Sequence, residues 1–530
     1  MFDSYLPGPA QLRDVSDGEL IDAVSGWARA AAAAEARKFS AIAELARRRC
    51  SDPEHPDWAC DDWDSAAAEI ACALAVGHGF ALAQIDVALA LRNRLPRTNA
   101  RFLAGEISAA MAVAIVHRTK LIADDDALAA VDAQIAENAP AWGTLSKNKL
   151  ELAIDMWVDT YDPDAVRRTR IRQKGRSLTI GDWEDRAGTV SIYGRLATTD
   201  AALANQRFAA MITAVCEDDP RTMDQRRADA FGALAAGSAH LACRCGNPAC
   251  SAALDDGRAT SFVVNVVAEQ QSLDQPPDPR LDGLITMADT ERDETPAPPR
   301  KPGLIPGMRN GIVPAPLLAQ LIAHGATVRL VPDAGSVEGC EGYRPSTALA
   351  RFVRTRDLTC RVPGCDRPAI TADIDHTRPW PEGPTHPSNT KCYCRIHHLV
   401  KTFWEGWSDT QRPDGSVTVT SPTGHSYTTT PLSGLLFPSW NTTTPPSRDG
   451  PQPDDPVPSS PLRDPRRALK MPRRRRRRSD SRRYRITAER RRNAIQRQLD
   501  RATAAGASAA PSDGDHLVPP PDYGDDPPPF

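Results

Sequence analysis

The chain lacks the features of a secreted or membrane-spanning protein. Its first residues contain no basic segment followed by an apolar one, so we expect no signal peptide. The most apolar stretch, residues 66–91, is interrupted by Glu69, His78 and Asp86, a pattern that does not suit a membrane span. The hydrophobic fraction is low at 41%, and the 47 prolines are concentrated late in the chain. The sequence therefore predicts a cytoplasmic protein with no membrane partner, folded in its first part and disordered at its end.

Twelve cysteines are distributed along the chain. Disulfides are one interpretation, but a long chain without a signal peptide favours a reducing compartment. In residues 358–407 a C-x4-C pair is followed by a C-x2-H pair, which supplies the four ligands that a tetrahedral structural Zn²⁺ requires. The predicted zinc ligands are Cys360, Cys365, Cys394 and His397.

Four polar residues of the same segment remain once the zinc ligands are assigned: Asp375, His376, Asn389 and His398. Hydrolysis of a phosphodiester needs an activated water, a cation beside the phosphate and stabilisation of the leaving oxygen. A histidine with an ordinary pKa of about 6.5 can accept the proton of that water at neutral pH. On a helix, His398 points about 100° away from His397, so that one can face zinc and the other a second cation.

These positions resemble those of the HNH endonuclease family, whose fold is a β-hairpin and a helix around one divalent metal ion. The resemblance implies that His376 is the general base and that Asp375 and His398 bind the catalytic ion, Mg²⁺ or another divalent cation. It also implies that Asn389 fixes the loop and orients the base. One departure is the Cys-x2-His pair, where many relatives have Cys-x2-Cys. A purely structural zinc module is the alternative interpretation of this segment.

The first part of the chain is rich in alanine with helical periodicity, which predicts a helical bundle. Ser16 and Glu19 have the spacing of a capping box at the start of the first helix. Residues 177–196 alternate between apolar and polar and predict a β-hairpin with a turn around residues 185–188. The predicted helices are residues 17–49, 63–94, 99–117, 125–137, 146–158 and 199–215, and another follows Pro220.

A second resemblance rests on the stretch CEDDPRTMDQRRADAFGAL at residues 216–234 and on LACRCGNPAC at residues 241–250. Together with the HNH positions, these stretches are similar to the domain of unknown function 222 and, more closely, to the actinobacterial 13E12 repeat family. The resemblance covers the chain to about residue 431. It implies a helical first domain and a C-terminal HNH nuclease. It supplies no known activity for the helical domain.

Residues 241–250 also contain three closely spaced cysteines, which could form a second zinc site. Its ligands would be Cys243, Cys245 and Cys250, with Cys216 or His240 as the fourth. The C-x-C-x4-C spacing is uncommon among zinc fingers, so a group of partly buried free cysteines is the alternative.

Short elements are predicted between this cysteine group and the HNH segment. Residues 260–269 are apolar on both faces and predict a strand that pairs with the hairpin, and residues 270–309 predict a loop. Residues 317–324 predict a helix, residues 327–331 a strand, and residues 345–357 an amphipathic basic helix.

The end of the chain is strongly basic, although the net charge of the whole chain is −3. Residues 463–497 contain 17 Lys and Arg residues against 3 acidic residues, which favours a polyanionic partner. We expect this tail to bind DNA phosphates without sequence specificity and residues 484–501 to fold as a helix on binding. A solvated tail without a partner is the alternative. The predicted phosphate contacts are Arg378, Lys401, Arg473, Arg474, Arg475, Arg476, Arg477 and Arg478.

The sequence thus predicts an α+β fold, mainly α, with a zinc-stapled ββα-metal module and a disordered basic tail. The function it favours is a metal-dependent HNH endonuclease that hydrolyses DNA. The alternatives are a non-catalytic, zinc-containing DNA-binding protein and an interaction or mobile-element factor acting through the helical domain. The predicted boundaries are 1–255 for the helical domain with its hairpin, 256–345 for a connecting β/loop segment, 346–430 for the nuclease module and 431–530 for the tail.

Overall fold

A computed structural model gives the fold as helices joined by turns, with small antiparallel sheets. The residues it describes are 6–166, 177–181, 188–196, 198–253, 264–273, 302–308, 311–323, 326–445 and 470–508. The predicted class, α+β and mainly α, is confirmed over these residues.

The helices in chain order are α1 (Asp17–Cys50), α2 (Asp62–Leu74), α3 (His78–Asn93), α4 (Pro96–Leu103), α5 (Ala109–Thr119), α6 (Asp125–Asn138), α7 (Lys147–Tyr161), α8 (Thr198–Thr213), α9 (Met223–Ala235), α10 (Ala315–Ala323), α11 (Thr347–Asp357), α12 (Arg395–Phe403), α13 (Leu432–Leu436) and α14 (Arg478–Ser508). The strands are β1 (Ser177–Ile180), β2 (Ile192–Arg195), β3 (Gly303–Leu304), β4 (Ile312–Val313), β5 (Asp373–His376), β6 (Thr390–Tyr393), β7 (Ser408–Gln411), β8 (Val417–Thr420) and β9 (Ser426–Thr429).

The chain forms two compact units that alternate along the sequence. Unit 1 consists of Met1–Ser40, Leu89–Arg168 and Arg476–Phe530, and unit 2 of Ala41–Ala88 and Thr169–Arg475. The four consecutive domains predicted from the sequence follow a different division, and their boundaries stay a prediction.

Helices that bury small and branched apolar side chains make up unit 1. Glu19 accepts a hydrogen bond from the Ser16 N–H at 2.7 Å, and the Ser16 hydroxyl accepts one from the Glu19 N–H at 3.4 Å. The predicted capping box is therefore confirmed. The buried Asp132 on α6 accepts the N–H groups of Arg97 and Thr98, which satisfies the otherwise unpaired start of α4.

Two predicted helices are each broken by a residue with positive φ. The prediction of one helix over residues 63–94 is wrong. α2 ends just before Ala75, which has φ 51°, and the bend between α2 and α3 is 105°. The prediction of one helix over residues 99–117 is also wrong, because Gly105 has φ +75° after α4. A Cβ at Gly105 would meet the carbonyl oxygen of Arg29 at 2.4 Å, so this close approach needs glycine.

Within the described part of the chain, no single helix is both long and apolar enough to cross a membrane. The bent pair α2 and α3 meets the requirement by length and composition when the two helices are taken together.

Unit 2 contains the predicted hairpin and a small helical cluster. β1 and β2 are antiparallel with Ser177 opposite Arg195, as the alternating pattern predicts, whereas most of the predicted turn lies outside the described residues. α8 and α9 pack through Met211 and Ala230 against the irregular segment that follows α9, and Val215, just after α8, belongs to the same apolar cluster.

The later part of unit 2 is a hairpin, a helix and a sheet. β5 and β6 are antiparallel, with Asp375 opposite Lys391 and His376 opposite Thr390, and α12 begins directly after Cys394. β7, β8 and β9 form an antiparallel sheet that we did not predict, although Asp-Gly at residues 414–415 is a typical hairpin turn and Gly415 has φ +80°. The predicted helices at residues 317–324 and 345–357 correspond to α10 and α11.

Three predictions for the later segments differ from the structure. In the described part of residues 260–269, Val267 exchanges two backbone hydrogen bonds of 2.8 Å with Leu304, so the segment pairs with β3 rather than with the first hairpin. Residues 327–331 form no strand, and Leu330 is 71% exposed there. The tail is not disordered over Arg478–Ser508, which form α14.

Candidate active site and metal centres

The predicted zinc ligands converge in a buried cluster. Cys360 follows α11, Cys365 lies in a tight turn after it, and Cys394 and His397 occupy the first turn of α12. The Cys360 and Cys394 sulfurs each lie 3.4 Å from His397 Nδ1, and the Cys365 and Cys394 sulfurs are 4.0 Å apart. Sulfur ligands at about 2.3 Å from a tetrahedral Zn²⁺ would be separated by about 3.8 Å. The cluster could therefore hold a metal ion such as zinc.

The electrostatics of this cluster favour negative charge on one of its sulfurs. Hydrogen bonds from the Cys360 and Cys365 thiols hold the pKa of Cys394 far below the usual thiol value. Burial raises the pKa of Cys360 instead. His397 directs Nδ1 at the sulfurs, while its buried Nε2 has no hydrogen-bond partner among the described residues.

Asp375 lies on β5 at the centre of a buried ionic network. Its Oδ2 is 3.0 Å from Lys391 Nζ and 2.6 Å from Lys401 Nζ, whereas its Oδ1 is 3.5 Å from His398 Nε2. Burial opposes ionisation of the carboxyl, but the two ammonium groups prevail and hold the pKa of Asp375 well below its usual range. Asp375 is thus a carboxylate with one oxygen neutralised and the other directed at His398.

His398 is oriented by a second carboxylate. Its Nδ1 lies 2.8 Å from Asp373 Oδ2, and its Nε2 faces Asp375. Histidines that ligate metals usually donate their other ring N–H to a carboxylate in this way. Asp373 was missed by the sequence reasoning, although Asp373 and Asp375 are two residues apart on one strand and so share a face.

His376 lies on the opposite face of β5, against Thr385 and Tyr343. Its Nε2 is 2.8 Å from the Thr385 hydroxyl, and its ring stacks on Tyr343 with the centroids 5.3 Å apart. Burial lowers the pKa of His376, although Asp375 partly offsets the effect. His376 and Asp375 are only 6% and 7% exposed. The exposed edge of the site is instead formed by His398 and Asp373, with side-chain exposures of 21% and 36%.

Asn389 fixes the loop between β5 and β6. Its Oδ1 accepts the Arg378 N–H at 2.8 Å, and its Nδ2 donates to the carbonyl oxygens of Arg378 and Pro384 at 3.0 and 2.9 Å. The amide therefore holds both ends of the loop that carries Thr385 to His376.

Two of the predicted phosphate contacts are engaged inside the protein. Lys401 Nζ binds Asp375, Asp409 and the carbonyl oxygen of His376, so it is not directed at solvent. Burial lowers the pKa of Lys401, but the two carboxylates outweigh burial and raise it. Arg474 hydrogen-bonds to Asp64 at 2.6 Å and to the backbone of residues 58–59. Both residues are better described as structural.

The other predicted contacts have more varied surroundings. Arg473 forms an exposed ion pair with Asp57 at 3.1 Å, and the Arg476 guanidinium lies over the Tyr484 ring. The remaining residues predicted as contacts, Arg378, Arg475, Arg477 and Arg478, stay predictions.

The buried charged residues at and just after the end of α11 were also missed. Arg356 is fully buried, donates to Asp357 at 2.8 Å, and binds the carbonyl oxygens of Pro387 and Thr390. Asp357 accepts the Cys392 N–H at 2.7 Å and ion-pairs with Arg361 at 3.2 Å. These residues attach α11 to β6, which the amphipathic basic pattern did not indicate.

A second group of ligands lies in the predicted cysteine segment. Cys216, Cys243, Cys245 and Cys250 have sulfur atoms within 4.8 Å of one another and could hold a metal ion such as zinc. Cys216 completes the group, whereas the alternative fourth ligand His240 is exposed and stands outside it. In the described part of the chain, these two cysteine clusters are the groups of three or more metal-ligating side chains that meet this distance.

Comparison with known proteins gives the family. Residues 27–357 match the family described as "Domain of unknown function (DUF222)". The chain belongs to the DUF222 family. The uncharacterized protein Rv2100 of Mycobacterium tuberculosis (strain ATCC 25618 / H37Rv) is 51% identical over 507 residues, covering 93% of this chain and 91% of that protein. The uncharacterized protein Rv3776 of the same strain is 49% identical over 515 residues, covering 97% of each. No solved structure matches the chain.

The DUF222 match separates the two cysteine clusters. It ends at residue 357, so Cys216, Cys243, Cys245 and Cys250 lie inside it, while the cluster of Cys360 lies beyond it. The predicted resemblance to the domain of unknown function 222 is confirmed, and the 13E12 and HNH resemblances stay predictions.

Proposed function

We propose that the chain is a metal-dependent endonuclease of the HNH type that hydrolyses phosphodiester bonds in DNA. The observation that carries the proposal is the pair formed by Asp375 Oδ1 and His398 Nε2, 3.5 Å apart, next to His376 on the same strand. β5, β6 and α12 follow one another as two strands and a helix, which is the order that the HNH resemblance implies.

The donor set of this pair fits a divalent cation. An oxygen and a nitrogen bound at about 2.1 Å in octahedral geometry lie about 3 Å apart, close to the separation in the structure. The second oxygen of Asp375 is neutralised by Lys391 and Lys401, which leaves Oδ1 for the ion. A cation bound there, such as Mg²⁺, would neutralise charge on the phosphate and leaving oxygen.

The contacts of His376 leave one ring nitrogen able to act as a base. The Thr385 hydroxyl donates to the Tyr343 carbonyl oxygen at 3.4 Å, so toward His376 it acts as an acceptor. Nε2 then carries the ring proton, and Nδ1 carries the lone pair. Because burial lowers the pKa of His376, the imidazole stays neutral at pH 7 and can accept a proton from a water held at Nδ1.

Exposed arginines of α14 support DNA as the substrate. Arg483, Arg485, Arg491 and Arg492 are exposed on a helix that has few acidic residues. Such a surface binds phosphates electrostatically and without sequence preference. The proposed role of the tail therefore falls on α14 rather than on the Arg473–Arg474 pair.

The alternative function is a DNA-binding protein in which the zinc module is only a scaffold. A plasmid-nicking assay with Mg²⁺ or Mn²⁺ distinguishes the nuclease from the scaffold. A chelator serves as the negative control. We expect divalent-dependent nicking by the full chain, lost in Asp375→Asn and His398→Ala and partly restored by raised Mn²⁺. DNA binding without nicking under any divalent ion would favour the scaffold.

A further inference from the structure

We propose that Cys216, Cys243, Cys245 and Cys250 bind a second Zn²⁺ ion, a structural site of the DUF222 region that is independent of the proposed nuclease. The ligands come from two places: Cys216 follows α8, and the other three lie in the irregular segment after α9. Four thiolates are the ligand set of closed, tetrahedral structural zinc sites.

The four sulfurs already converge. The Cys216 and Cys243 sulfurs are 3.3 Å apart, and all four lie within 4.8 Å of one another. The Cys245 N–H also donates to the Cys243 sulfur at 3.4 Å. Hydrogen bonds from backbone N–H groups to sulfur stabilise thiolates, which are the form that binds zinc.

A buried ionic network holds the two chain segments at this distance. Arg221 donates to both oxygens of Asp219 at 2.9 and 2.7 Å, and to the Ala242 carbonyl oxygen at 2.8 Å. The Arg244 N–H, between two of the cysteines, donates to Asp219 at 2.8 Å. The side chains of Asp219 and Arg221 are almost completely buried, so the backbone beside three of the ligands is fixed before any ion binds.

A tight turn places the last ligand. Gly246 has φ +74°, the Cys250 N–H donates to the Asn247 carbonyl oxygen at 3.0 Å, and Asn247 Oδ1 accepts the Ala249 N–H at 2.9 Å. The chain therefore reverses between Cys245 and Cys250 and brings both sulfurs to one side.

The segment that follows α9 has little core of its own, which is why we expect a metal to stabilise it. The residues between α9 and residue 250, all of which the structure describes, form no helix or strand, and the apolar cluster beneath them is small. Segments with so little core are commonly held by disulfides or a structural metal. The four cysteines are free and their sulfurs converge on one point, which suits a single zinc ion that binds all four.

The test is the zinc content of the full-length chain, measured by elemental analysis after gel filtration. We expect one zinc per cysteine cluster, hence two per chain, and the loss of one in Cys250→Ser and separately in Cys365→Ser. Cys340→Ser is the matched control, because Cys340 is also partly buried but belongs to neither cluster. We expect it to retain both ions.

A second measurement avoids the risk that Cys250→Ser does not fold. Zinc X-ray absorption of the unmodified chain should give an average sulfur number between three and four, since one site has three sulfurs and the other four. An average of three with one zinc per chain would overturn the proposal. So would a Cys216–Cys243 disulfide, detected by peptide mapping without reductant. Because no DNA cleavage is measured, failure here leaves the proposed nuclease untouched.

Discussion

Single side chains around His376 decide whether it can act as a base. Thr385 is fully buried, and its hydroxyl meets His376 Nε2 at 2.8 Å. This contact fixes both the ring orientation and the position of the ring proton. Thr385 is a positioning residue, because it would act on substrate only through His376.

Replacing Thr385 by valine tests this role. Thr385→Val keeps the shape of the side chain but removes the acceptor of the His376 Nε2–H. We expect kcat for DNA nicking to fall about tenfold, because the loss of a hydrogen bond worth about 1.4 kcal/mol corresponds to that change in rate. Thr385→Ser should restore most of the rate, and both variants should keep wild-type DNA affinity. Equal rates for Thr385→Val and the wild type would show that the hydroxyl does not orient the base.

The elements around the site are joined by buried charges. Arg356 and Asp357 at the end of α11 reach the backbone of β6 and of the loop before it. Removing one partner of a buried ion pair leaves an uncompensated charge, which costs more than an exposed pair contributes.

Arg356→Met should therefore lower the free energy of unfolding by about 3–5 kcal/mol, measured by urea denaturation. Arg351→Met is the control, since it removes a partly exposed arginine from the same helix. We expect it to change the free energy of unfolding by less than about 0.5 kcal/mol. Similar values for both variants would contradict the assignment of Arg356 as the anchor of α11.

The buried ion pair of Arg356 and Asp357 makes the free energy of unfolding depend on pH. Burial raises the pKa of Asp357, but Arg356 and Arg361 outweigh it, and the folded-state pKa lies below the ordinary value of 3.8. As the pH falls below about 5, the unfolded chain takes up a proton before the folded chain does, so stability decreases. Asp357→Asn should be less stable than the wild type at pH 7, and the difference should shrink toward pH 3. A difference that stays constant with pH would show that Asp357 does not contribute through its charge.

Local patterns predicted many of these elements, whereas contacts between distant residues were not predictable. The hairpin of β1 and β2 and the capping box at Ser16 follow from periodicity or spacing within short windows. The two cysteine clusters, whose members are farther apart in the chain, were predicted from their residue types as metal ligands. The pairing of Lys391 with Asp375 depends on the register of two strands, and the break at Gly105 depends on the close approach of the Arg29 backbone. The sheet of β7–β9 did have a local signal in its Asp-Gly turn, which the sequence reasoning overlooked.

For the whole molecule, α14 sets the expected salt dependence of DNA binding. Its Arg490 is bound to Asp162 and to the Leu121 carbonyl oxygen within unit 1, while other arginines of the helix are exposed. We expect the exposed group to contact phosphates and Arg490 to hold the helix in place. Four of the exposed arginines lie in the middle of the helix: Arg483, Arg485, Arg491 and Arg492.

Changing these four arginines to glutamine should weaken DNA binding at low salt. The slope of log K against log salt should become shallower by about 0.9 for each phosphate that the variant no longer neutralises. Arg490→Gln is the matched control, expected to lower thermal stability and to leave the slope unchanged. If the fourfold variant has the wild-type slope, then α14 does not bind the DNA backbone.

The most direct test of the nuclease proposal compares His376, the last residue of β5, with His386 in the loop between β5 and β6. His376 is buried and His386 is half-buried. Supercoiled plasmid is incubated with Mg²⁺ or Mn²⁺ and with the wild type, His376→Ala or His386→Ala, each checked for unchanged zinc content. Loss of a general base should lower the nicking rate of His376→Ala by about 10²–10⁴-fold. His386, whose Nδ1 contacts Ser388 at 2.8 Å, should be replaceable with little loss of rate. Wild-type nicking by His376→Ala, or no nicking by the wild-type chain with either ion, would contradict the account.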